Sequence, residues 1–177
     1  MAEPLSSPTP LPTKIALVTT LAVTAVALGS FLASRPNPVA AGAAAPYLSL
    51  FTALFLMRVL GQVLVRTRQP RWLPPTEQWN LSPYAVLLPT QVAMLGLMAW
   101  IDLDFARARG FWTEPRPAFG VGVLWFTLVY ASVMAIRYVV RMTRSPAERW
   151  FGGTIPIVFH FVLAGYLLVF GMFHASH

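Results

Sequence analysis

Long stretches almost free of charge alternate along this chain with short segments rich in Arg, Pro and Trp. The clearest apolar stretch, 151–173 (FGGTIPIVFHFVLAGYLLVFGMF), runs for 23 residues with one ionisable side chain, His160. At about 1.5 Å of rise per residue, a helix of that length crosses a hydrocarbon core of roughly 30 Å. Four further segments repeat the design: 15–33, 47–65 interrupted by Arg58, 83–101 and 117–138. The pattern predicts an all-α integral membrane protein, a bundle of five transmembrane helices forming one domain over 15–177.

The punctuation between these segments supports the division. The first 13 residues, MAEPLSSPTPLPT, hold four prolines and no apolar period, so residues 1–14 are expected to form an extended cytoplasmic arm. The run 15–33 has 19 uncharged residues, longer than the 7–15 of a signal-peptide core, and is taken as a retained span rather than a cleaved leader. Within it, Ala25, Gly29 and Ala33 recur every four residues and predict a face where another helix comes close. Ser82 is placed as an N-cap with Pro83 at the first helical position, and Pro89 is expected to bend the third helix. Ser145, Pro146, Ala147 and Glu148 read as a capping box before the last span.

Five crossings put the termini on opposite sides. Seven basic residues (Lys14, Arg66, Arg68, Arg71, Arg141, Arg144, Arg149) then share the N-terminal side, against four (Arg35, Arg107, Arg109, Arg116) on the other. The positive-inside rule places the N-terminus in the cytoplasm and the C-terminus outside, with a bacterial inner membrane as the expected location. Trp72, Trp79 and Trp150 on the inner side, and Trp100 and Trp112 on the outer, fall where interfacial aromatic belts form.

Composition narrows the chemistry. With 56% hydrophobic and 11% charged residues, the chain has too little polar surface for a water-soluble globule. The absence of cysteine excludes disulfides, thiolate nucleophiles and iron–sulfur clusters. The net charge of +7 lies in short runs beside apolar segments, where it sets topology rather than binding nucleic acid.

Two ionisable side chains fall deep within spans, Arg58 and His160, and such residues are functional hypotheses by default. Arg58, Gln62 one turn on, and Gln91 at a similar depth form a polar seam. It either glues spans two and three together or receives an anionic headgroup or substrate. His160 and His174, 14 residues apart, share one helix face, a spacing that looks like the haem-ligand pairs of quinol-oxidising b-type cytochromes. The resemblance covers two residues of one helix, and the second histidine pair on a partner helix is missing. A haem at His160 would need Met94 or Met98, or a second copy of the chain, as its other ligand. A chlorophyll-type pigment needs a single imidazole, with Phe159, Phe161 and Trp125 as its lining. The structural alternative hydrogen-bonds His160 to Tyr130, Thr127 or Ser132 of span four.

Asp102 and Asp104 at the outer end of span three offer two carboxylates, few for a divalent ion, and Asp104 is expected to pair with Arg107 instead. The inner loop 66–80, with Arg68, Arg71, Trp72 and Trp79, suits contact with anionic lipid or a partner subunit. Its only acid, Glu77, has no positioned His or Ser beside it. No complete catalytic set emerges. The leading expectation is therefore a non-catalytic accessory or assembly subunit packing against other integral membrane subunits or lipids. A tetrapyrrole protein using His160, or a small carrier or lipid-acting enzyme centred on Arg58, are the alternatives.

Overall fold

The computed structural model describes residues 10–68, 70, 73, 84–144 and 154–177. It contains five long helices and, among the described residues, no strand: α1 (Leu11–Ser34), α2 (Ala41–Arg68), α3 (Tyr84–Ala106), α4 (Pro117–Arg144) and α5 (Ile155–Ala175). All five are long and apolar enough to cross a membrane. The expectations for Ser82 and Pro83, for 145–148 and for Arg71, Trp72, Trp79 and Trp150 lie outside the described residues.

The helices overrun the apolar segments that predict them. Residues 11–14, expected in the extended arm, form the first turn of α1, and Pro12 sits at its start, where the missing N–H has no helical partner to lose. The fourth helix continues to Arg144, placing Arg141 and Arg144 in its last turn, where positive charge complements the carbonyl end of the helix dipole.

The last helix is the hub. It packs against α4, α2 and α1, while α2 also carries α3. Its sequence explains this position: it is the most deeply buried of the five, and its glycines thin it where neighbours approach. A Cβ on Gly165 would lie 3.0 Å from the Phe51 ring of α2, and one on Gly171 would lie 3.0 Å from Leu124 of α4. From the other side, Gly120 of α4 lies so close to the end of α5 that a Cβ there would come within 2.4 Å of the Ala175 backbone nitrogen. Phe31, Leu48, Phe51, Phe55, Phe105 and Val169 fill the main core between α1, α2, α3 and α5. Leu17, Val65, Ile155 and Val158 make a smaller core at the end of the bundle nearer the N-terminus of α1.

The small face expected on α1 is not its packing face. Ala25, Gly29 and Ala33 are exposed, and Gly29 has open space around it. The helix instead buries Thr13, Leu17, Thr20, Thr24, Ala27 and Phe31, a row with alternating spacings of four and three. That row buries Leu17 and Phe31, far more apolar area than three small residues offer.

The expected Asp104–Arg107 pair is replaced by a loop cap. Asp104 is buried and its Oδ2 accepts the Trp112 N–H at 3.2 Å, while its carbonyl accepts the Arg109 N–H at 3.1 Å. The chain reverses through Gly110 at φ 124°, pressed so closely on the Asp104 carboxylate that a side chain there would collide with it. Arg116 reaches back over the Phe111 ring at 3.9 Å and pairs with Glu114 at 3.3 Å. Trp100, Phe111 and Trp112 form a ring cluster over this turn.

Candidate functional site

Arg58 projects from α2 at a position where α3 and α5 both come close. Seven residues, or about 10 Å of helix, separate it from Val65. The predicted seam is continuous. In the amide orientation that satisfies both neighbours, Gln62 Oε1 accepts from Nη1 and Nη2 of Arg58, each at 3.1 Å, and its nitrogen donates to Gln91 Oε1 at 2.6 Å. The spacing of four along α2 puts Gln62 one turn beyond Arg58, so the guanidinium bends toward the end of the helix without leaving the interior. Arg58 is 7% exposed, Gln91 5% and Gln62 0%.

Among the described residues, what the seam lacks is negative charge. The acceptor for Arg58 is the neutral amide of Gln62, which in turn donates to Gln91, and the Arg58 Nε is buried with no hydrogen-bond partner. Among the described residues the ion pair formed is Arg116–Glu114, at the far end of the bundle. The Arg58 Cζ lies 5.8 Å from the centroid of the Phe159 ring of α5, a contact that spreads some of the charge but does not neutralise it.

Arg58 and Phe159 also line a cavity of 390 Å³ between α1, α2 and α5. Its other walls include Thr13, Ala16 and Thr20 of α1, Met57, Leu60 and Gly61 of α2, and Ile155 of α5. Among the described residues, the wall is apolar apart from Arg58 and two threonines. Thr20 donates to the Ala16 carbonyl of its own helix at 2.8 Å, whereas Thr13 Oγ1 is buried without a partner. Thr13 is the residue that sequence reasoning missed; a threonine in the first turn of an apolar helix carries no signal of its own.

The two histidines both face α4, as their spacing predicts, but in different surroundings. Nδ1 of His160 meets the Pro156 carbonyl one turn earlier in its own helix, and since a carbonyl only accepts, Nδ1 carries the proton. The Tyr130 ring lies 5.7 Å away, centroid to centroid, and is itself stacked on Phe126. Of the expected partners on α4, Thr127 instead donates to the Val123 carbonyl, and Ser132 is exposed. Trp125, an expected pigment neighbour, is 64% exposed on the outward side of α4. His174 is fully buried, with Phe119, Phe170 and Phe173 closing on its ring at centroid distances of 5.4, 4.7 and 5.0 Å. A flat macrocycle there would have to displace those rings.

Met98 lies level with Tyr166 rather than His160: the Tyr166 hydroxyl sits 3.4 Å from the Met98 carbonyl and 3.4 Å from Asp102 Oδ1. The carboxylate of Asp102 therefore ties α3 to α5 instead of pairing with Asp104. No group of three or more His, Asp or Glu side chains is placed to hold a metal among the described residues. Arg68 is exposed at the end of α2, next to Arg66, whose guanidinium lies 5.8 Å from the Tyr84 ring.

The chain matches no family model, no curated protein and no solved structure.

Proposed function

We propose that the five helices cross a bacterial inner membrane with the N-terminus in the cytoplasm, and that the protein is a non-catalytic binder of anionic amphiphiles, holding the charged head at Arg58. The carrying observation is a buried cation whose acceptor among the described residues is the neutral amide of Gln62, beside a cavity whose described wall is apolar apart from Arg58 and two threonines. A guanidinium in a spanning helix is expensive unless something compensates it, and amides compensate it only in part. A bound anion supplies the missing charge, and Arg is suited to carboxylate or phosphate by its planar donors. Positive residues at the same end of the bundle, Arg66 and Arg68 among them, would concentrate anionic lipid near the cavity.

The test is lipid analysis of protein purified in a mild detergent. Anionic amphiphiles should be enriched in the wild type over the surrounding membrane and lost from Arg58→Gln. Identical lipid profiles in the two would overturn the proposal. Tags at both ends check the orientation: an external protease should remove the C-terminal tag alone.

An accessory role beside other membrane proteins is the second reading, and α4 favours it. This helix packs on α5 and turns Trp125, Val129, Val133 and Ile136 outward along one face. Recovery of the chain without a stoichiometric membrane partner would remove that support.

A further inference from the structure

Resting on the Arg58 reading above, we infer that the occupant is a single-chain anionic amphiphile, one acyl tail bearing a carboxylate or a phosphate, which enters sideways between α1 and α2. Three features of the cavity lead there.

The first is its opening. Met57 and Leu60 line the cavity yet are 61% and 57% exposed, so the space reaches the outer surface of the bundle between α1 and α2. In a bilayer that surface faces acyl chains, and a ligand reaching it arrives from within the leaflet. The second is size. A volume of 390 Å³ falls at the low end of the roughly 300–1,000 Å³ typical of ligand sites. It has room for a compact head and the upper part of one chain, not for a glycerol carrying two.

The third is polarity and depth. Two lining residues carry a buried polar atom without a partner, Arg58 at Nε and Thr13 at Oγ1, and each can donate a hydrogen bond. Among the described residues, no carboxylate lines the space. A head that only accepts hydrogen bonds and carries negative charge matches both. Because Arg58 leans toward Gln62, about three residues or roughly 4.5 Å short of Val65, the head must sink below the end of the apolar segment. A small head on one chain can do so; a phospholipid anchored by two chains would drag its glycerol with it.

The experiment uses the full chain in detergent micelles, with oleate, oleoyl lysophosphatidic acid, dioleoyl phosphatidylglycerol and uncharged monoolein as probes. Native mass spectrometry and thermal unfolding supply the readouts. Oleate, the lysophosphatidic acid or both should bind and raise the unfolding temperature, and whichever binds identifies the head as carboxylate or phosphate. Arg58→Gln should weaken that binding at least about tenfold, as loss of a charge-assisted hydrogen bond does. Arg58→Lys, which keeps the charge, should retain part of it, and Gly61→Leu, which fills the cavity while leaving Arg58 in place, should abolish it. Arg58-dependent binding of phosphatidylglycerol as tight as that of oleate overturns the single-chain inference but keeps the Arg58 reading. Monoolein binding as tightly as oleate, or anionic probes binding equally to wild type and Arg58→Gln, overturns both.

Discussion

Whether Arg58 depends on Gln62 as a charge on its acceptor can be measured with a double-mutant cycle. Gln62→Leu removes the oxygen that takes both Nη donors at 3.1 Å and leaves a guanidinium only 7% exposed. Hydrogen bonds to charged groups contribute about 1.5–3 kcal/mol each, and both Nη donors lose their acceptor, so a loss of roughly 3 kcal/mol is expected. Arg58→Met strands only the neutral Gln62 oxygen, at about 1–3 kcal/mol, and recovers much of that by removing a desolvated cation. With Arg58→Met already present, Gln62→Leu no longer strands a charge. The double variant should therefore be more stable than Gln62→Leu alone, with a coupling of about 2 kcal/mol, within the 0.5–3 kcal/mol seen for side chains in direct contact. Unfolding in micelles of increasing sodium dodecyl sulfate fraction, followed by tryptophan fluorescence, reads all four corners. Additivity within about 0.5 kcal/mol would refute the idea that the amide carries the charge.

Gln62→Glu places a carboxylate where the ligand's charge is proposed to act; the protein should gain stability in the same assay while its affinity for anionic amphiphiles falls. Gly120→Ala forces the end of α4 to retreat by about 1 Å to restore an ordinary contact with Ala175, and overpacking of that kind costs about 1–3 kcal/mol. Gly122→Ala, with open space around it, should instead be neutral or gain up to about 1 kcal/mol, and equal unfolding midpoints for the two would contradict the placement of α4. Asp104→Ala removes the acceptor for the Trp112 N–H and should cost about 1–2 kcal/mol, with Asp104→Asn recovering part of it and the fluorescence of the Trp100–Trp112 cluster reporting the change. Purified protein should show no Soret or red absorption band; one that disappears in His160→Ala would revive the tetrapyrrole alternative.

The five long apolar helices and the Arg58–Gln62–Gln91 seam were both legible because each follows from periodicity within one or two helices: apolar length marks a helix long enough to cross a membrane, and a spacing of four puts two polar side chains on one face. Failures came where a third element decides. The small face of α1 reads from sequence as a packing surface, but which face turns inward is set by what α5 and α2 offer, and they take the row containing Leu17 and Phe31. The carboxylate of Asp104 looks like a partner for Arg107, until the turn through Gly110 brings a backbone N–H from Trp112 against it. Asp102 looks like half of a metal pair, until Tyr166, 64 residues away, reaches it across the bundle.

The cavity is the case where the missing information matters most for function. Arg58 announces itself by its cost in an apolar segment, but nothing in the row of α2 residues shows that its neighbours on α5 and α1 leave a space beside it. That space exists because Thr13, Ala16 and Gly61 are short where α1 and α2 face each other, while Phe159 closes the far side. Small residues on two helices, harmless singly, become a site only when a buried charge stands at their junction. On the proposed reading the same charge gives the space a use: a Leu in place of Gly61 would occupy it and leave the guanidinium, whose acceptor is the neutral amide of Gln62, without access to an anion.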